Sequence, residues 1–236
     1  FEIRVFDLRN EYLSSLLENN IISIVFVVLC FLVLINGSNF IDGLNGLQIG
    51  YYLIIFLILL KNGFMNFTNL NATEVIYLTI ILFYLLVLNF NEKLFLGDSG
   101  SYILSLFTGY FLVLVYNSNQ NISPFFIALL LWYPCFENLF SIVRKFTFNK
   151  SPLKPDNKHL HQLIYIYLKI QLKLKKKLAN NISSIMINTF NLIFISIASL
   201  HYKHTFIQLV MILLFSLIYI YIYIKILKII SKKIIK

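Results

Sequence analysis

The 236-residue chain is 59% hydrophobic and only 13% charged, with a mean hydropathy of +0.80. Soluble domains run at roughly 45–50% apolar and about 25% charged, so a water-soluble globular protein is excluded. The net charge of +10 is too localised to describe a nucleic-acid binder: ten of the twenty Lys and Arg fall between Arg144 and Lys177, and five more between Lys225 and Lys236.

Seven apolar segments follow one another, at about 21–38, 46–60, 74–90, 101–116, 123–143, 182–200 and 205–229. A bilayer core needs ~20 apolar residues per helix, whereas β-spans need alternating stretches of ~10. The segments are long and do not alternate. They predict an all-α, polytopic integral membrane bundle of about seven transmembrane helices, forming a single domain over 1–236. The basic stretch 144–181 is an internal loop, and by the positive-inside rule it belongs in the cytoplasm. Alternation then leaves sixteen basic residues inside and four (Arg4, Arg9, Lys61, Lys203) outside. Within that loop, residues 166–175 alternate apolar and polar, which fits either a strand or an interfacial amphipathic segment. Cys30 and Cys135 lie in apolar runs, with the character of packing residues. Phe1 in the first position predicts a longer parent chain with at least one further span upstream.

Three polar islands interrupt the apolar sequence, all expected on the cytoplasmic side: NGSNFIDGLNGL at 36–47, NFNEKLFLGDSGS at 89–101 and KSPLKPDNKHLHQL at 150–163. Polar groups at membrane depth are costly and tend to line a site. Asp42, Asp98 and the amide oxygens of Asn36, Asn39 and Asn45 are hard donors of the kind magnesium accepts, usually with substrate phosphates completing the shell. Gly43, Gly46, Gly97 and Gly100 allow close backbone approach. Ser99 and Gly100 are expected to open a helix whose free N–H groups would seat a phosphate. Lys93, Lys158, His159 and His161 add cationic or hydrogen-bonding groups. His159 and His161 would diverge on a helix but share a face on extended chain. Gly46 and Gly50 also have the spacing of a close helix contact. Glu137 and Arg144, seven residues apart, face either one cleft or two neighbouring helices. His201 and His204 belong to an outer loop.

NGSNFIDGLNGL, FLGDSGS and PDNKHLH, in this order over residues ~20–165, resemble the polyprenyl-phosphate N-acetylhexosamine-1-phosphate transferases, glycosyltransferase family 4. The resemblance implies transfer of sugar-1-phosphate from a UDP-N-acetylhexosamine to undecaprenyl phosphate, with release of UMP and with Mg2+ as cofactor. It implies a multi-pass protein of the bacterial inner membrane, its active site facing the cytoplasm among membrane lipids, with room for a homodimer and no role for nucleic acid. By the same resemblance Asp98 and Asn39 would hold the metal, and Asp42, Asp98, His159 and His161 would be catalytic. Asn36, Asn45, Lys93 and Arg144 would bind substrate. The PDxxHLH form resembles the GlcNAc-type branch more than the phospho-MurNAc-pentapeptide transferase, whose three-histidine run is absent. Departures are Asn45 where the family commonly has Asp, Asn157 where it has Arg, a short segment between Asn89 and Gly97, and the absence of paired aspartates on an earlier loop. The last predicts a chain inactive alone. The competing readings are a non-catalytic remnant or scaffold of the same fold, and a transporter, for which no broken-helix repeat is visible.

Overall fold

The computed structural model describes residues 4–5, 7–64, 72–147, 149 and 158–234. Ten helices run through them and there is no strand among the described residues. They are α1 (Glu11–Leu17), α2 (Asn20–Ile41), α3 (Leu47–Lys61), α4 (Ala72–Phe90), α5 (Gly97–Ser118), α6 (Pro124–Leu130), α7 (Trp132–Thr147), α8 (Leu160–Gln171), α9 (Lys176–Ser199) and α10 (Thr205–Ile234).

Each of the seven apolar segments becomes helical, but they are of three kinds. Five helices, α2, α4, α5, α9 and α10, are long and apolar enough to cross a bilayer. Their outward faces carry Leu, Ile, Val and Phe in bulk, as at Val25, Ile80, Ile103 and Leu213. The chain is a multi-pass membrane protein. α3 differs: its 15 residues span about 22 Å at 1.5 Å per residue, short of the ~30 Å hydrocarbon layer. It is buried on nearly every side, with Tyr51, Tyr52, Ile55, Phe56 and Leu59 at 0% exposure, and forms the axis of the bundle.

The fifth apolar segment breaks into α6 and α7, bent by 76°. Pro134 is the local cause. It lacks the N–H that would bond the Leu130 carbonyl one turn back. The Tyr51 hydroxyl on α3 donates to that carbonyl at 2.8 Å and accepts the Tyr133 N–H at 3.2 Å. One buried side chain thus repairs both backbone groups freed by the break, which the bilayer interior requires.

Small residues set the closest crossings. Gly37 on α2 lies against the Pro134 carbonyl of α7, where no side chain would fit. Gly109 on α5 receives Phe31 and Leu34 of α2. Gly50 on α3 faces Asn188 of α9, so its spacing with Gly46 does serve a close helix contact. At the other end of the bundle, Arg9 has a left-handed φ of 53°. Its guanidinium donates to the Lys203 carbonyl (2.5 Å), Thr205 Oγ1 (3.3 Å) and the Gln120 and Asn121 carbonyls (3.0 and 2.9 Å). Loops 117–123 and 200–204 are thereby clasped to the segment before α1.

Residues 160–171 form α8, with a turn over 172–175, so the strand alternative for 166–175 is replaced by an amphipathic helix. Leu160, Leu163, Ile164 and Leu168 are buried, and Ile170 and Leu172 are exposed. The basic 144–181 stretch accordingly contains the end of α7, all of α8 and the start of α9.

Candidate active site

Three of the predicted residues meet where α2 ends and α5 begins. Asn39 Nδ2 donates to Asp98 Oδ1 at 3.3 Å and to the Tyr102 hydroxyl at 2.8 Å. Asp42, the C-cap of α2, lies beside Asp98 and receives the Gly97 N–H. Burial, with the Asp98 charge second and the Gly97 N–H opposing, pushes the Asp42 carboxyl up to about 7. α5 starts at Gly97, two residues before the expected position, through a left-handed φ of 61°. Asp98 therefore stands in the first turn, where its charge suits the positive end of the helix dipole.

The donor set fits a hard divalent cation: the Asp98 charge disfavours a second charge on Asp42, and a cation between them would relieve that repulsion. Because Asn39 Nδ2 is committed to Asp98 and Tyr102, Asn39 Oδ1 is the atom it has for a metal. No group of three His, Cys, Asp or Glu side chains forms a metal site among the described residues, so such an ion would depend on amide, water or phosphate oxygens as well.

The histidines form a second cluster on the opposite side of the same turn. His159 caps α8 in extended conformation (ψ 150°) and His161 is in its first turn. This mixed geometry brings the two rings to 5.6 Å, nearly parallel at 11°. Glu137 on α7, 1% exposed, anchors them. Its Oε1 lies 2.9 Å from His159 Nδ1 and accepts the Leu160 N–H at 3.2 Å, while Oε2 accepts the Tyr219 hydroxyl at 2.8 Å. A carboxylate with three such partners holds the neutral ring as the Nδ1–H tautomer and leaves Nε2 as its lone-pair nitrogen. His161 is wholly buried, with neither ring nitrogen partnered. Burial pushes it down to about 4, although Glu137 pulls the other way, so it is a neutral ring at pH 7. A Cβ on Gly43 would come 3.1 Å from His161 Nε2. The turn Asp42–Gly43 thus touches Asp98 on one side and His161 on the other, and Phe40 packs on His159 at 4.8 Å.

Other predicted residues sit elsewhere. Asn36 bonds back to the Leu32 carbonyl of its own helix at 2.7 Å. Arg144 donates to Tyr223 (3.0 Å) and Ser141 (3.1 Å) and lies over the Tyr223 ring, tying α7 to α10. Lys93 is exposed in the α4–α5 turn. Asn45 is buried, its N–H held by Asn180 Oδ1 at 2.8 Å and its carbonyl by the Ser184 hydroxyl at 2.5 Å. Pro155, Asp156 and Asn157 of the third island lie outside the described residues. The sequence reading did not find Glu137 as the histidine anchor, nor Tyr102, Tyr219, Asn180 and Ser184; three donors on a lone acid in an apolar run were the available signal for Glu137 only after folding.

An apolar groove of about 770 Å³ runs between α2 and α5, lined among others by Phe31, Ile35, Ile103, Leu106 and Phe107. Ile35 and Ile103 lie one turn or less from Asn39 and Tyr102, so the groove ends beside the carboxylates.

The family model for glycosyl transferase family 4 matches residues 3–116. That stretch, just under half of the chain, is similar to this family. It contains both carboxylate islands, whereas Glu137, His159 and His161 follow it in the chain. The family's members are, in general, transferases that pass a phosphosugar to a polyprenyl phosphate, and this part of the chain is similar to them. No curated protein and no solved structure matches the chain.

Proposed function

We propose that the chain transfers an N-acetylhexosamine-1-phosphate, GlcNAc-1-phosphate or a close relative, from a UDP-sugar to undecaprenyl phosphate, releasing UMP and initiating a cell-surface glycan. The observation that carries this reading is the Asp42–Gly43 turn, which borders the Asp98–Asn39 pair and the His161–His159–Glu137 cluster at once. Phosphoryl-type transfer needs charge neutralisation and alignment more than covalent chemistry, and both clusters suit that demand. Mg2+, held by Asp98 and Asn39 Oδ1, would neutralise the diphosphate of the donor. Asp42 keeps a second carboxylate beside the ion. His159, its tautomer fixed by Glu137, directs Nε2 for a hydrogen bond to a phosphate or sugar hydroxyl. His161, neutral and unpartnered, has hydrogen-bonding capacity that a bound sugar phosphate would use. The α2–α5 groove offers an apolar path for a prenyl tail whose phosphate would stop at the carboxylates. The basic-residue asymmetry supports a site on the cytoplasmic face, and the family resemblance supports a bacterial inner membrane.

Asp98→Asn in the full-length protein tests this directly. Magnesium-dependent UMP release from candidate UDP-sugars should fall by roughly three orders of magnitude, the scale on which lost electrostatic stabilisation acts. Unchanged turnover would remove the assignment of Asp98, and a native protein without UMP release would leave the scaffold reading.

A further inference from the structure

We propose that α9, which lies outside the family match, is a positioning element for the magnesium-binding carboxylates, acting through Asn180, Ser184 and Asn188. The inference rests on the metal site proposed above. These residues recur at every fourth position and share one face of the helix. All three address the backbone of the turn that carries Asp42. Asn180 Oδ1 accepts the Asn45 N–H at 2.8 Å, the Ser184 hydroxyl donates to the Asn45 carbonyl at 2.5 Å, and Asn188 Nδ2 donates to the Gly46 and Leu47 carbonyls at 2.9 and 3.3 Å. Gly46, at φ 77°, gives the turn its left-handed conformation, and its carbonyl also accepts the Gly50 N–H at 3.1 Å.

The held turn is coupled to the second carboxylate by three further bonds. The Gly46 N–H donates to Asn89 Oδ1, and Asn89 Nδ2 donates to the Leu94 carbonyl, three residues before Gly97, at 2.6 Å. Gln48 Nε2, in the first turn of α3, donates to Ser101 Oγ at 2.8 Å. Asp42 and Asp98 are therefore spaced by a network whose fixed end is α9. Stability alone does not explain the choice of residues. Asn188 leaves its Oδ1 buried without a partner, a cost that an aliphatic residue would avoid. Asn191 on the same helix satisfies its amide on the Ile187 carbonyl at 3.0 Å and touches no part of the turn.

The test is Mn2+ binding, read by the loss of the free-ion electron paramagnetic resonance signal, for the full chain in nanodiscs. Asn188→Ala should weaken binding by about tenfold or more, the usual consequence of removing groups that orient metal ligands. Ser184→Ala should weaken it less and Ser184→Thr should keep the native affinity, while Asn191→Ala should bind as the native chain does. Should Asn188→Ala fail to fold, the Ser184 pair carries the comparison. Equal affinity in Ser184→Ala and the native chain, or equal weakening in Asn191→Ala, would overturn the positioning role. A native chain without saturable Mn2+ binding would instead overturn the metal site, and the inference with it.

Discussion

At the scale of single residues, Asp42 is the carboxylate whose surroundings move it toward neutral pH. Its carboxyl is raised from 3.8 to about 7, first by burial and then by Asp98. The folded protein therefore binds a proton there between pH 4 and 7 that the unfolded chain releases, and this contribution to stability declines as pH rises through that window. Asp42→Asn should flatten the fall in metal-free thermal stability between pH 4 and 7, and saturating Mg2+ should flatten it in the native chain too. Identical pH slopes with and without the carboxyl would show that the pairing with Asp98 is absent. The residue scale also shows what a sequence gives away. Asp42, Asp98, Asn39 and the two histidines stand out because polar groups inside an apolar chain need a reason. Glu137 stood out only for its spacing to Arg144 and not as the histidine anchor, because its three partners come from the start of α8 and from α10, and no spacing in the chain joins them.

At the scale of elements, the seven apolar segments were legible because length and composition alone demand helices in lipid. Their kinds were not. Averaged hydropathy over 123–143 hides the 76° bend, although Pro134 marks it. The shortness of α3 shows in the sequence, but its burial depends on neighbours that surround it. The same holds for α9: Asn180, Ser184 and Asn188 are evenly spaced, yet in an Asn-rich chain the pattern has no meaning until the α2–α3 turn lies against it. The bend carries its own prediction. Tyr51→Phe removes one hydroxyl but strands two backbone groups, the Leu130 carbonyl and the Tyr133 N–H. It should destabilise the fold by roughly 2–6 kcal/mol, at about 1–3 kcal/mol per unsatisfied buried group. Thermal unfolding in detergent measures it, and a loss below about 0.5 kcal/mol would mean that another group repairs the break.

At the scale of the whole molecule, the helices sort the polar groups to two ends. Asp42, Asp98 and His159 gather at one, Arg9 and the 200–204 loop at the other. The orientation proposed from charge asymmetry puts the first end in the cytoplasm. With Cys30 and Cys135 replaced by alanine, a cysteine introduced by Lys203→Cys should react with a membrane-impermeant maleimide in intact cells. The Lys93→Cys counterpart should react only after permeabilisation. The reverse pattern would invert the orientation.

The Arg9 clasp has a consequence in time. Its partners lie 111, 112, 194 and 196 residues further along the chain. During synthesis, Arg9 emerges well before these partners and must wait until the loop between α9 and α10 follows it. Contacts this distant in sequence form late and slowly. The clasp is a closing knot: helices threaded early remain free to rearrange until the hairpin between α9 and α10 arrives and ties them.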